Sequence, residues 1–144
     1  MKPCFVLDNS VVMRWFFGDG TANDLEYAMR VLDAMTTSTA LVPAVWSLEV
    51  ANVIARAEAK KLVTEADSEA FIAMLEKLDI CVSPGKTTEK IAGEALQLAR
   101  RYALSSYDAS YLNLALHENL PLATLDSDLL GAARQAGVRS FLKC

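Results

Sequence analysis

Five short apolar runs, at residues 5–7, 39–42, 79–82, 122–125 and 138–142, punctuate the chain, and the segments between them carry apolar residues at helical spacing. Strands buried on both faces read as near-continuous apolar runs. Parallel neighbours also need crossover connections, which helices supply, right-handed almost without exception. The expected fold is therefore α/β, an α/β/α sandwich around a short five-stranded parallel sheet, with residues 1–144 forming a single domain. With 53% hydrophobic and 22% charged residues, the 144-residue chain can bury the core such a sandwich requires. No repeat, low-complexity tract or interdomain linker interrupts it.

The connecting segments supply the helices. After residues 5–7, Val11, Val12, Trp15 and Phe16 recur at helical spacing until Gly18-Asp19-Gly20 breaks the chain. A second helix is expected over residues 23–35, with Leu25, Ala28, Met29 and Leu32 on its apolar face. Pro43 opens a third at its first turn. Residues 64–78 begin with Thr64 and Asp67 at the spacing of a capping box and offer Phe71, Ile72, Leu75 and Leu78 for packing. After a loop at Ser83-Pro84-Gly85, residues 88–103 turn Ile91, Ala95, Leu98 and Ala99 inward, and Arg100 and Arg101 suit the carboxyl end of that helix. Gly137 ends the last helix.

Four acids stand where a soluble fold gains little from them. Asp8 follows the first apolar run. Glu49 has Val45 four residues before it and Val53 four after, within an inward stripe, with Asn52 and Arg56 on the same side. Asp108 lies near the start of a helix whose next turns bring Tyr111, Leu112 and Ala115 to the core, and Asp126 ends the run at 122–125, where the chain turns into a helix near Asp128. Each has a local explanation: Asp8 and Asp126 as helix caps, Asp108 as the third residue of a Ser105-x-x-Asp108 capping box, Glu49 as a partner of Arg56. Ligands of open parallel sheets, however, sit outside the carboxyl ends of the strands, and all four acids are expected at that rim. A lone buried carboxylate costs several kcal/mol, roughly, to desolvate. One shared cation accounts for the four more economically than four separate local roles.

Other chemistries are excluded by what is missing. The single histidine, His117, near a helix end, reads as a capping or surface residue and rules out paired-histidine ribonuclease chemistry and an H-E-x-x-H zinc site. Cys4, Cys81 and Cys144 form no C-x-x-C pair and are expected to be reduced thiols, the first two packed in strands and the last at the tail. No apolar run approaches the roughly 18 residues a membrane span needs, and the amino terminus passes at once into a strand-like run, so a cytoplasmic protein is expected. The net charge of -4 argues against a generally basic nucleic-acid-binding surface while leaving room for a local one.

The segments VLDNS at 6–10, VPAVWSLEVANVI at 42–54, LSSYDASYLNLA at 104–115 and LATLDSDLLGAA at 122–133 resemble the PIN-domain family, and within it the VapC-type toxins of bacterial toxin-antitoxin pairs. The likeness covers essentially the whole chain, with the acids in the family's order and spacing. It implies that Asp8, Glu49, Asp108 and Asp126 bind Mg²⁺ or Mn²⁺, and that Ser10 and Thr124, at small-hydroxyl positions, support the ligands or orient substrate. Asp128 either supplements Asp126 or stays a cap or an exposed residue, and Asn9 stands where many members carry Thr or Ser. The resemblance further implies an RNA substrate, a homodimer, and a small antitoxin whose helix or tail obstructs the acids, often with an Arg.

The residue types fit that chemistry. Hard divalent cations take oxygen ligands, and a water made acidic by the metal attacks a phosphodiester in line without any side-chain nucleophile. The expected activity is metal-dependent endoribonuclease, with Asp8 and Asp108 as inner ligands and Glu49 and Asp126 completing the pocket or orienting water. Trp15, Phe16 and Phe17 are candidate interface residues, and Arg14, Arg56, Arg100 and Arg101 are candidates for meeting RNA phosphates. A two-component receiver domain would want an acidic pair after the first strand and a phosphorylatable Asp after the third, where this chain has Asp8-Asn9 and Ser83-Pro84. A haloacid dehalogenase-type phosphatase would want D-x-D where it has D-N-S. The alternative from another class is a PIN-like binding module that has lost turnover, and retention of all four acids speaks against it.

Overall fold

A computed structural model describes residues 2–84 and 88–143; the expected loop residue Gly85 and the tail thiol of Cys144 lie outside the described residues. In chain order the elements are β1 (Cys4–Leu7), α1 (Asn9–Phe17), α2 (Ala22–Ala34), β2 (Thr39–Val42), α3 (Val45–Ala59), α4 (Glu65–Glu76), β3 (Ile80–Val82), α5 (Thr88–Tyr102), α6 (Ser106–Glu118), β4 (Leu122–Ala123) and α7 (Ser127–Gln135). The strands form one parallel sheet in the order β3-β2-β1-β4, flanked by the helices, so the α/β architecture is as expected. The chain steps outward from β1 through β2 to β3 and then returns to the other side of β1 with β4. Strand order therefore reverses between β1 and β4, which is where sheets of this kind open a crevice at their carboxyl ends.

The core is centred on β1, whose Phe5, Val6 and Leu7 are fully buried. Val11 and Val12 of α1, Tyr111 and Leu112 of α6 and Leu129 of α7 close around it, also with no exposed surface. Each such side chain contributes roughly 1.5–3 kcal/mol relative to exposure, which makes this strand the stable base on which the rim is built. Local signals set the helix starts. Thr21 with Asp24 and Thr64 with Asp67 form reciprocal capping boxes at α2 and α4.

Several expectations are corrected. No fifth strand forms over residues 138–142: pairing with β4 is a single bridge, Leu122 to Ser140, because β4 has only two residues to offer and Leu142 turns the chain away with φ of 61°. Phe141 instead stacks on Phe5 at 3.8 Å. On α2 the buried face is Tyr27, Ala28 and Val31, with Met29 half exposed, since the Tyr27 hydroxyl is drawn to the Phe141 carbonyl at 2.8 Å. Ile91 and Ile72 are exposed; α5 packs chiefly on α6, so it buries a narrower line than its apolar pattern suggests. Cys4 and Cys81 are free thiols but exposed, lying at the start of β1 and on the edge strand β3. Trp15, Phe16 and Phe17 all pack, partly buried, against the core, and Trp15 Nε1 donates to the Ala28 carbonyl at 2.7 Å.

Candidate active site

The β1–β4 ladder runs into the rim. Leu7 pairs with Ala123, and the next backbone N–H, that of Asp8, still donates to the Ala123 carbonyl at 3.0 Å. Asp8 and Thr124 are thereby held side by side at the carboxyl ends of adjacent strands. Asp8 has the extended backbone of an N-cap residue, yet its side chain caps nothing. Its Oδ2 instead accepts from Ser10 Oγ at 2.6 Å and from Thr124 Oγ1 at 2.8 Å. The same hydroxyl oxygens accept backbone N–H bonds, Ser10 from Leu125 at 2.9 Å and Thr124 from Asp126 at 3.0 Å. Each hydroxyl has one hydrogen and spends it on Asp8, so the 3.3 Å approach of Ser10 to Thr124 carries no proton between them. The result is a buried carboxylate locked in orientation by both strands' following loops.

Asp126 behaves differently at the equivalent strand-to-helix junction. Its Oδ1 accepts from the N–H groups of Asp128 at 2.9 Å and Leu129 at 3.4 Å, which makes it a true cap of α7. Asp128 contributes only that backbone donor and its side chain is exposed. Asp108, the third residue of α6, receives half a capping box: its N–H donates to Ser105 Oγ at 3.1 Å, but the return bond made at α2 and α4 is missing. Its carboxyl turns to Asp126 instead.

Glu49 comes from α3, on the margin of a buried stripe formed by Trp46, Val50, Ile54 and Ala57. It does not pair with Arg56, which is exposed; its Oε1 accepts from the Tyr111 hydroxyl at 2.6 Å. Tyr111 is a site residue that its sequence position, in the apolar stripe of α6, does not announce. The one signal is chemical: a fully buried phenol needs an acceptor.

Electrostatics tie the acids together. Burial raises the pKa of Asp8, the bonds from Ser10 and Thr124 lower it, and the charge of Asp126 raises it, for a net upward displacement. Glu49 is raised by burial and by Asp8 against the lowering bond from Tyr111. Asp108 is pushed up to about 7 by burial and by Asp126, Asp8 and Glu49. Asp108 thus feels the charges of the other three acids, and Asp8 is felt by Glu49 and itself feels Asp126. Among the described residues, ion pairs join Lys2 to Asp79, Arg14 to Asp19 and His117 to Glu94, and none reaches these four acids. The donors are all carboxylate or hydroxyl oxygens, and the buried side-chain oxygen of Asn9 has no hydrogen-bond partner among the described residues. That is the chemistry a hard cation requires. No three acidic, histidine or cysteine side chains among the described residues are already gathered as a cage. Mg²⁺ does not require one, since it is commonly held by one or two carboxylates and keeps its waters.

A family model described as PIN domain matches residues 5–135. A search of curated proteins finds no match. Among solved structures, PAE2754 from Pyrobaculum aerophilum aligns with a TM-score of 0.62 at 20% identity, covering 92% of this chain and 87% of that one. A toxin-antitoxin complex from Klebsiella pneumoniae aligns at 0.60 and 20% identity, covering 88% and 91%. VapBC2 from Rickettsia felis, bound to a DNA fragment from its promoter, aligns at 0.65 and 10% identity, covering 96% and 97%. At these identities the likeness is one of fold.

Proposed function

The chain belongs to the PIN-domain family, a family of nucleases, and on that premise we propose that it is a Mg²⁺- or Mn²⁺-dependent endoribonuclease, the toxin of a toxin-antitoxin pair. One observation carries the reading. Burial and the charges of Asp126, Asp8 and Glu49, drawn from three other segments, together raise the proton affinity of Asp108, and no ion pair among the described residues reaches any of the four acids.

Asp8 and Asp108 would hold the ion, with Glu49 and Asp126 completing the pocket. A bound divalent ion supplies positive charge for the crowded phosphoryl oxygens and lowers the pKa of water enough for it to attack at neutral pH. The chain's own part is orientation. Ser10 and Thr124 fix one oxygen of Asp8, and their bonds to the Leu125 and Asp126 N–H groups prevent the hydroxyls from turning away. Asp126 is oriented by its bond from the Asp128 N–H in the first turn of α7. Arg100 and Arg101, exposed in the last turn of α5 before the helix that carries Asp108, are candidates to meet RNA phosphates.

The likeness to the Klebsiella complex and to VapBC2 supports a small antitoxin as partner, and a homodimer acting in the cytoplasm belongs to the same reading. No helix among the described residues is long and apolar enough to cross a membrane. The test is cleavage of labelled RNA by purified protein with Mg²⁺, Mn²⁺ or EDTA. Asp8→Asn should lower metal-dependent cleavage by more than about 100-fold, beyond what loss of a ligand's supporting partner costs, with the fold retained. Undiminished cleavage by that variant, or cleavage indifferent to EDTA, overturns the assignment.

A further inference from the structure

Tyr111 is fully buried, and its hydroxyl is spent on a residue 62 positions away on another helix. The bond to Glu49 Oε1 is short, 2.6 Å, as expected of a phenol donating to a carboxylate. Tyr111 lies one turn beyond Asp108 on α6, so the same helix that brings one acid to the rim also grips another from α3. The hydroxyl lies close enough to Asp8 to feel its charge, and the backbone N–H of Asn9 interacts favourably with both the Asp8 carboxylate and the Tyr111 oxygen. Glu49 Oε1 is engaged, while Oε2 has no protein donor among the described residues.

We propose that Tyr111 is a positioning residue that locks the Glu49 carboxylate, retaining Oε1 and presenting Oε2 to a divalent cation in the crevice. The inference rests on the metal-dependent reading above. A glutamate on the margin of a helix stripe has several rotamers open to it, and an anchored carboxylate has already given up that freedom when a ligand arrives. Outer partners of ligating carboxylates act in this way on metal affinity. A tyrosine present only to fill the core would need its hydroxyl satisfied, but its loss would not change how the protein binds an ion.

The test is Mn²⁺ affinity of the whole chain by calorimetry at fixed pH, with thermal unfolding as a parallel measurement. Tyr111→Phe should weaken Mn²⁺ binding by about 10-fold or more while the melting curve stays cooperative. In a Glu49→Ala background the same substitution should add no further loss. Equal affinity of Tyr111→Phe and the natural protein, or a loss that persists undiminished without Glu49, overturns the proposal. A crystal of the natural protein grown with Mn²⁺ gives a second reading that needs no variant: Oε1 stays on Tyr111 and Oε2 faces the ion. Oε1 released to the ion overturns the inference, and a natural protein that binds no Mn²⁺ overturns the metal-dependent reading together with it.

Discussion

Asp8 and Asp79 sit at opposite ends of the same sheet and are built from nearly the same parts. Asp79, just before β3, accepts from Thr39 Oγ1 at 2.6 Å; Asp8, just after β1, accepts from Thr124 Oγ1 at 2.8 Å. Their electrostatics nevertheless run in opposite directions. Asp79 faces solvent with Lys2 Nζ at 3.4 Å, and the Thr39 bond and that cation hold its carboxyl below the usual range. Asp8 is 4% exposed and its charged neighbour is another acid, so burial pushes it up despite two hydroxyl donors. Hydroxyl bonds orient a carboxylate at either end. They do not replace a counter-charge, and only the amino-terminal edge of the sheet carries its own.

Supplying the missing charge should have the largest effect. Saturating Mn²⁺, at 100 times its dissociation constant, is expected to raise unfolding stability by about 2.7 kcal/mol in urea titrations, and Asp8→Asn should abolish that gain. No stabilisation of the natural protein would mean that the two edges do not differ in the way described. Next comes the hydroxyl. Thr124→Val removes one of the two hydroxyl donors to the buried Asp8 carboxylate and strands the part-buried Asp126 N–H, and should cost about 1–3 kcal/mol, largely recovered by Thr124→Ser. Thr39→Val at the solvent-facing edge should cost less than about 1 kcal/mol by the same measurement.

The pH dependence sharpens the contrast because its sign differs at the two edges. Asp108 takes its proton at about 7 in the folded protein, against the ordinary 3.8 once unfolded. Through this group the metal-free protein should therefore lose stability as pH rises from about 4 towards 7 and level off beyond it. Screening at a half-exposed group limits the loss to about 1–2 kcal/mol. Asp108→Asn should flatten that slope. Asp79, with its carboxyl held low, adds stability above pH 4 that is lost only on further acidification. Asp79→Asn should accordingly leave the slope between pH 4 and 7 and the Mn²⁺ affinity unchanged. An Asp79→Asn protein that shares the Asp108→Asn profile would break the comparison.

Much of the rim is legible from local pattern. Asp108 and Asp126 lie at helix starts because Ser105 and the run at 122–125 announce them, and Glu49 falls beside a buried stripe because helical period puts it there. Periodicity is less reliable at the stripe's edges, where Met29, Ile72 and Ile91 prove exposed. The difference between Asp8 and Asp126 is not legible at all. Both follow a strand and precede a helix, yet only Asp126 caps, because Asp8 finds better donors, one of them 116 residues away.

Strand-helix alternation, the parallel sheet and the nomination of four acids follow from the order of residues alone, because they depend on spacing within a few turns of chain. Whether each carboxylate has a counter-charge, which side chain anchors Glu49, and how long the last strand can be are decided only once distant segments meet. Charge interactions and hydrogen bonds are set by distance through space, and here the deciding partners, Thr124 for Asp8 and Tyr111 for Glu49, come from the far half of the chain.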